Sequence, residues 1–304
     1  MRIVALPEIL AAIDEDEITA LIEDGFRRFS AGGADVMAVG HLQFPDALGD
    51  CHVKGASLHG DDLFAIKVAT SFYRNPAIGL SSGNGFIAIA SAVTGEVQAI
   101  LHDEGQLTDL RTALGGAIAA RAIARRDTKV LGIIGSGSQA KLQARAIQRA
   151  LGIEELLVWA RDPGRAAVVG GEVVTLPELA ARADLIVTTT PSTVPHLTAE
   201  MARPGMRIVA VGADMPGKNE VAAGLMAQAR IVVDSRVQCI DHGDTASAIA
   251  AGLIDGSALI ELGELLAAPI DFGDDEIVVA DLTGVAIQDV QIAKSVWSRI
   301  GRAR

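Results

Sequence analysis

The chain has 304 residues, beyond the usual single domain of about 100 to 200 residues, so two domains are expected. Half of the residues are hydrophobic but only 3% are aromatic, which requires an interior close-packed from Ala, Val, Ile and Leu and suits an α/β protein. A net charge of −12 opposes phosphate backbones and anionic lipids, so neither nucleic acid nor a membrane is an expected partner. Met1 to Pro7 lacks the apolar run of a signal peptide, and no later apolar run reaches membrane-spanning length. Between Pro7 and Phe29, Ile9, Leu10, Ile13, Ile18, Leu21, Ile22 and Phe26 recur at helical spacing and predict an N-terminal helical segment. Residues 51–58 and 63–70 flank the turn His59-Gly60-Asp61-Asp62 and predict a β-hairpin. Strands at 85–92 and 97–102 around Thr94-Gly95-Glu96 complete a mostly antiparallel first hundred residues. An Ala-rich helix at 112–125 then opens a run of alternating strands and helices, with strands expected at 130–134, 155–159, 185–189, 207–211, 230–233 and 276–280. A last helix, about 285–300, is expected to return to the first domain.

The segment Lys129-Val130-Leu131-Gly132-Ile133-Ile134 runs as a short apolar strand into Gly135-Ser136-Gly137-Ser138-Gln139-Ala140 and then into a helix through Ile147. In a dinucleotide fingerprint the first Gly permits the tight turn and the second lets the backbone approach the pyrophosphate. The small third residue lets helix pack on strand, and the helix N-terminus faces the negative charge. Gly135 to Ala140 are therefore the cofactor-binding candidates, and the fold class is α/β, a Rossmann-type doubly wound domain beside an α+β domain. The second strand ends in Arg161-Asp162 where an Asp or Glu would bind the adenosine ribose of NAD. Arg161, with Arg165 one turn on, can pair with a 2′-phosphate while Asp162 caps the next helix. NAD(P)(H) is thus the expected cofactor with NADP slightly favoured; the alternative is that Arg161 stacks on adenine and both cofactors bind.

If the hairpin turns tightly at residues 59–62, Lys54 lies opposite Lys67 on one sheet face, and two like charges there need an anion between them. A substrate carboxylate would serve, with Arg111 adding a bidentate fork. His52 is either a proton-transfer group or a packed strand residue. Asp214 follows the strand at 207–211 at the carboxyl end of the sheet, where ligands of doubly wound folds collect, although an Asp before Pro-Gly also forms turns. The histidines at 41, 52, 59, 102, 196 and 242 show no i, i+4 pairing, so no metal site is expected, and His242 is expected at the surface. Cys51 and Cys239 lack zinc-site or disulfide spacing and are expected as reduced thiols in a cytoplasmic protein.

Taken with Lys67, Asn75-Pro76, Leu107-Thr108-Asp109-Leu110-Arg111-Thr112-Ala113 and Gly212-Ala213-Asp214-Met215-Pro216-Gly217-Lys218, the fingerprint makes the chain resemble the ornithine cyclodeaminase and mu-crystallin family over most of its length. The resemblance implies a homodimer in which residues 1–112, with 286–304 returning, form the substrate-binding and dimerisation domain. Residues 113–285 would form the NAD(P)-binding domain, with the active site in the cleft facing it. It implies that Lys67 and Arg111 contact substrate, that Asp214 does general acid/base or iminium-orienting work, that Lys67 is catalytic as well, and that Ser82 and Thr112 contact the cofactor. Ser82 could equally belong to a flexible loop, and Asp281, in a segment lining the family's site, is given no chemical role.

Ornithine cyclodeaminases carry a Glu-Leu-Met-Pro-like stretch where this chain has His52-Val53-Lys54-Gly55-Ala56-Ser57. A Lys there repels the distal ammonium of ornithine. The expected activity is therefore NAD(P)H-dependent reduction of a small, including cyclic, imino acid such as pyrroline-2-carboxylate, or amino-acid dehydrogenation. Deaminating cyclisation of a diamino acid and a non-enzymatic cofactor-binding role are the alternatives.

Overall fold

The computed structural model describes residues 1–302 and divides the chain into two units, Met1–Arg111 with Val285–Arg304, and Thr112–Gly284. Among the described residues no helix is long and apolar enough to cross a membrane.

In the first unit, strand β1 (Arg2–Ala5) leads into α1 (Leu6–Ala11) and α2 (Glu15–Ser30), so the expected single helical segment is broken. The break has a local cause: Asp14 is extended and its side chain accepts the Glu17 N–H at 3.0 Å, capping α2. Then come β2 (Ala34–Val36), β3 (Gly40–Phe44), β4 (Gly49–Leu58), β5 (Leu63–Phe72), β6 (Gly83–Ser91) and β7 (Val97–His102). They form one sheet in the order β1-β7-β6-β5-β4-β2, with β3 also paired to β4. Pairing is antiparallel except for β1 on β7, a strand the sequence pattern did not disclose because it is only four residues long. Alternation puts Val53-type and Lys54-type positions on opposite faces. The β4–β5 register sets Lys54 directly against Lys67, as the tight turn requires. The C-terminal helix Ile287–Arg302 packs against α2 and the middle strands β4, β5 and β6, burying Ile287, Val290, Ala293 and Val296.

Helix α3 (Gln106–Ile123) carries the division between the units and starts six residues before the expected helix, because the Asp103 carboxylate accepts the Leu107 N–H at 2.9 Å and caps it. Arg111 and Thr112 are therefore helical residues. The second unit continues with β8 (Val130–Ile134), α4 (Ser138–Leu151), β9 (Glu155–Trp159), α5 (Pro163–Ala166), β10 (Glu172–Val173), α6 (Leu176–Arg182), β11 (Leu185–Thr188) and β12 (Arg207–Ala210). It ends with α7 (Ala223–Met226), β13 (Ala229–Val233), α8 (Arg236–Asp241), α9 (Asp244–Ala250), β14 (Ile260–Glu261), α10 (Leu262–Ala267) and β15 (Ile277–Asp281). All eight strands are parallel, in the order β10-β9-β8-β11-β12-β15-β13-β14. Such strands are buried on both faces, which explains their continuous apolar runs: Leu185, Ile186, Val187 and Thr188 are all fully buried. Buried Arg207 donates to the Ile123 carbonyl at 2.8 Å, the Gly273 carbonyl at 3.1 Å and the Glu276 carbonyl, tying the end of α3 to the approach to β15.

Candidate active site

In the second unit the strand order reverses between β8 and β11, where loops from neighbouring strands part and leave a crevice for a ligand. The turn Gly135 to Gly137 lies there. Gly135 sits at φ +133°, its N–H donates to the Trp159 carbonyl at 2.9 Å, and an added Cβ would lie 2.2 Å from Thr189 Oγ1; only glycine fits. Gly137 caps α4 without a side-chain cap, and a Cβ on it would meet no protein atom within 4 Å. The start of α4 thus has open space beside Gly137, as close approach of a pyrophosphate to a helix N-terminus requires. Ala140 is fully buried, while Ser136, Ser138 and Gln139 line the same turn. A nicotinamide dinucleotide fits these residues.

Beyond β9, Asp162 Oδ1 accepts the N–H groups of Gly164 at 2.9 Å and Arg165 at 3.4 Å, so it caps α5. Arg161 and Arg165 are exposed at this tip. Trp159 meets His196 edge to face with centroids 5.0 Å apart, and burial followed by the Arg161 charge holds His196 below the usual histidine range.

In the first unit, Lys54, Lys67 and Arg111 come together and all three are buried. The carboxylate that joins Lys67 and Arg111 is Asp289, in the first turn of the C-terminal helix, with the Lys54 charge close enough to act on it. Its Oδ1 accepts Lys67 Nζ at 2.9 Å and Arg111 Nε at 3.0 Å, and Arg111 Nη1 donates to Gln288 Oε1 at 3.0 Å. Burial lowers the Lys67 ammonium to about 7, with Arg111 and Lys54 repelling its charge and Asp289 opposing the shift. Burial alone would raise the Asp289 carboxyl, but Lys67 and Arg111 hold it below the usual range. Asp289 Oδ2 is buried without a hydrogen-bond partner. Asp289 and Gln288 were missed by sequence reasoning. The available signal was a helix with apolar Ile287, Val290 and Ile292 interrupted by polar Gln288, Asp289 and Gln291, all buried, since a buried Asp needs a cation.

His52 shares a β4 face with Lys54, but its ring meets Asp50 Oδ1 at 3.4 Å and the His41 ring edge to face at 4.9 Å. Ser82 is exposed just before β6, its carbonyl accepting the Phe72 N–H at 2.7 Å. Thr112 accepts through its carbonyl from Gln143 Nε2 at 3.0 Å, so α3 and α4 are fastened at that residue. Asp214 lies in the loop after β12, partly exposed, with Lys218 Nζ 2.6 Å from its Oδ1.

His242 is buried, which corrects the expected surface placement: it ends α8 and its backbone N–H donates to the Gln238 carbonyl at 2.9 Å. Both cysteines are free and buried.

Residues 4–303 match the sequence profile of the ornithine cyclodeaminase/mu-crystallin family. A cyclodeaminase of Sinorhizobium fredii (strain NBRC 101917 / NGR234), itself uncharacterised, is 38% identical over 91% of this chain and 88% of its own length. An archaeal alanine dehydrogenase, solved as a dimer with bound NAD, superposes with a TM-score of 0.91 at 32% identity, covering 99% of this chain and 96% of that one. The iminosuccinate reductase of Paracoccus denitrificans, solved in complex with NAD⁺, superposes with a TM-score of 0.88 at 30% identity, again covering 99% and 96%. With a profile match that spans all but the chain ends, and a doubly wound unit shared with NAD-bound relatives, this chain belongs to the ornithine cyclodeaminase/mu-crystallin family.

Proposed function

We propose that the protein reduces a small α-imino acid to the α-amino acid with NAD(P)H, and runs the reverse dehydrogenation when amino acid and oxidised cofactor are supplied. The observation that carries this reading is the buried cluster of Lys54, Lys67 and Arg111, in which Lys67 and Arg111 share Asp289 Oδ1. A substrate carboxylate would give this buried cation cluster a further anion to share. Lys54 as a third cation disfavours the distal ammonium of a diamino acid, which favours imine reduction over deaminating cyclisation.

Arg111 and Lys67 would grip the substrate carboxylate, Lys54 adding charge and His52 standing at the rim, while Asp289 keeps the Lys67 and Arg111 heads oriented. The bound dinucleotide supplies the hydride to the α-carbon. Asp214 would deliver the accompanying proton to the imine nitrogen and take it back in the reverse direction. Lys67, near 7, is a second group able to exchange a proton at neutral pH. The C=N bond is reduced as the carbon gains hydride and the nitrogen a proton.

The cofactor contacts are assigned to Gly135 through Ala140, with Ser82 and Thr112 towards the nicotinamide. NADP(H) is slightly favoured: the one acidic tip residue, Asp162, is engaged in capping α5, which leaves Arg161 and Arg165 to meet a 2′-phosphate. A homodimer is supported by exposed Leu42, Phe44, Leu48, Tyr73, Ile78 and Leu80 in the first unit, where Phe44 stacks on Phe72 and the Tyr73 N–H donates to the Leu48 carbonyl.

Cofactor absorbance tests the reading. A cyclic or open-chain imino acid should consume NAD(P)H one for one, whereas ornithine conversion to proline with no net absorbance change would identify a cyclodeaminase. Asp214→Asn should lower kcat by about 10²- to 10⁴-fold with cofactor affinity retained, as loss of a general acid does. Retained turnover would remove Asp214 from this role.

A further inference from the structure

We infer that Glu220 is a positioning residue that clamps the Asp214 loop onto the neighbouring strand end and so sets the orientation of Asp214; this rests on the catalytic role proposed for Asp214. Glu220 is fully buried in the second unit. Its Oε2 accepts the Thr188 hydroxyl at 2.7 Å and the Gly212 N–H at 2.8 Å. Its Oε1 accepts the Thr190 N–H at 2.6 Å and the Thr190 hydroxyl at 2.7 Å. One carboxylate thus joins the carboxyl end of β11 to the loop that leaves β12, its partner in the sheet.

The same carboxylate closes the loop on itself, since Gly212 opens the segment that carries Asp214 and Lys218 and Glu220 ends it. The exit is pinned independently. The Glu220 N–H donates to Asp244 Oδ1 at 2.6 Å, its carbonyl accepts from His196 at 2.8 Å, and the Asn219 N–H donates to the Ser192 carbonyl at 2.7 Å. A Cβ on Gly212 would lie 2.2 Å from the Thr190 carbonyl oxygen and 2.4 Å from Glu220 Oε2, so the backbone passes too close to the clamp for any side chain. Asp214 follows two residues later.

The donor set explains why the residue is a glutamate. Each carboxylate oxygen meets one backbone N–H, which can only donate, and one hydroxyl, which can donate or accept. Burial raises the Glu220 carboxyl to about 7. Its protonated form keeps both N–H groups, because a threonine hydroxyl can turn to accept. Glutamine cannot do this: its NH₂ must point at one of the two N–H donors.

Glu220→Gln tests the inference. We expect kcat for imine reduction to fall about 10²-fold, as a roughly 1 Å misplacement of a reacting group does, with substrate KM and NADH affinity within about twofold of wild type. Thr188→Val removes one hydroxyl donor and keeps the carboxylate, so it should fold and show the same split with a kcat loss of about threefold, one hydrogen bond's worth. Wild-type kcat in folded Glu220→Gln, or losses of KM and cofactor affinity in step with kcat, would overturn the clamp. If Glu220→Gln does not fold, unchanged kcat in Thr188→Val overturns it. Turnover retained by Asp214→Asn defeats the underlying reading, whereas an inactive Asp214→Asn beside a fully active Glu220→Gln defeats the clamp alone.

Discussion

The two units bury charge in different ways: the first mixes cations with carboxylates, and the second is mostly carboxylates. Among the described residues, the first buries Lys54, Lys67 and Arg111 with Asp50, Asp103 and Asp289; the second buries Glu220, Asp234, Asp244, Glu261 and Asp281 with Arg207 alone as a cation. In the second unit the backbone meets the charge. Asp234 accepts the N–H groups of Thr283 and Gly284, Asp244 those of Glu220 and Val221, and Asp281 that of Thr245. Burial, before any neighbouring charge, raises Glu220 to about 7, Asp281 to about 6 and Asp244 well above the carboxylate range, so protonation removes the rest of the cost. Buried cations are satisfied by carbonyls, as Arg207 is, or by anions. Lys67 and Arg111 instead share one carboxylate oxygen. The carboxylates of the second unit are held as scaffold, and the cations of the first are the groups that the proposed function uses to hold a substrate carboxylate.

The same substitution in each cluster should therefore differ in cost. The two tryptophans divide between the units, Trp297 in the C-terminal helix and Trp159 at the end of β9, so Trp159→Phe and Trp297→Phe backgrounds report each unit separately in urea unfolding. Asp289→Asn should destabilise the first unit by about 3 kcal/mol, because it leaves Lys67 and Arg111 uncompensated. Asp244→Asn should cost the second unit only about 1 kcal/mol, because that carboxyl is already held neutral and the Asn oxygen still accepts N–H groups. Equal losses would break the comparison.

The pH dependence should also split. Glu220 and Asp281 bind protons more tightly folded than unfolded, so stability in the second unit falls as pH rises from about 4 to 7. Lys67 is lowered to about 7 from 10.5, so between those values the unfolded chain holds more protons and stability in the first unit rises with pH. Slopes of the same sign in the two backgrounds would contradict the assignment. A smaller effect is expected from ligands: a small α-keto or α-amino carboxylate at about 100 times its Kd should stabilise the protein by about 2.7 kcal/mol, with the shift reported by Trp297 and abolished by Lys67→Met. Among the binding effects the smaller is Arg161→Ala, expected to weaken NADPH about tenfold, roughly 1.4 kcal/mol, and to leave NADH unchanged, as fluorescence titration would show.

The glycine turn, six of the eight parallel strands and the β4–β5 register were legible in the sequence because each is written locally, in spacing or in turn residues, whereas β10 and β14 are only two residues long and leave no pattern. The cation cluster was legible only in part. Lys54 and Lys67 are thirteen residues apart across a hairpin, but Asp289 lies 222 residues from Lys67, and no local pattern couples them. Glu220 was hidden for a related reason: the four donors to its carboxylate come from three residues in two other segments, Thr188 and Thr190 in one and Gly212 in the other. The early start of α3 was missed because the cap, Asp103, sits before Glu104 at φ +53° and Gly105 at φ +84°, a turn that a helical-periodicity window does not see.

The most direct measurement follows the hydrogen. NAD(P)H deuterated at the transferred position, incubated with an imino acid and the protein, should place one deuterium on the α-carbon of the amino acid for each cofactor oxidised, read by mass spectrometry and proton NMR. An amino acid formed without deuterium at that carbon, or a cofactor that keeps its label and its absorbance while substrate is consumed, would contradict imine reduction at this site.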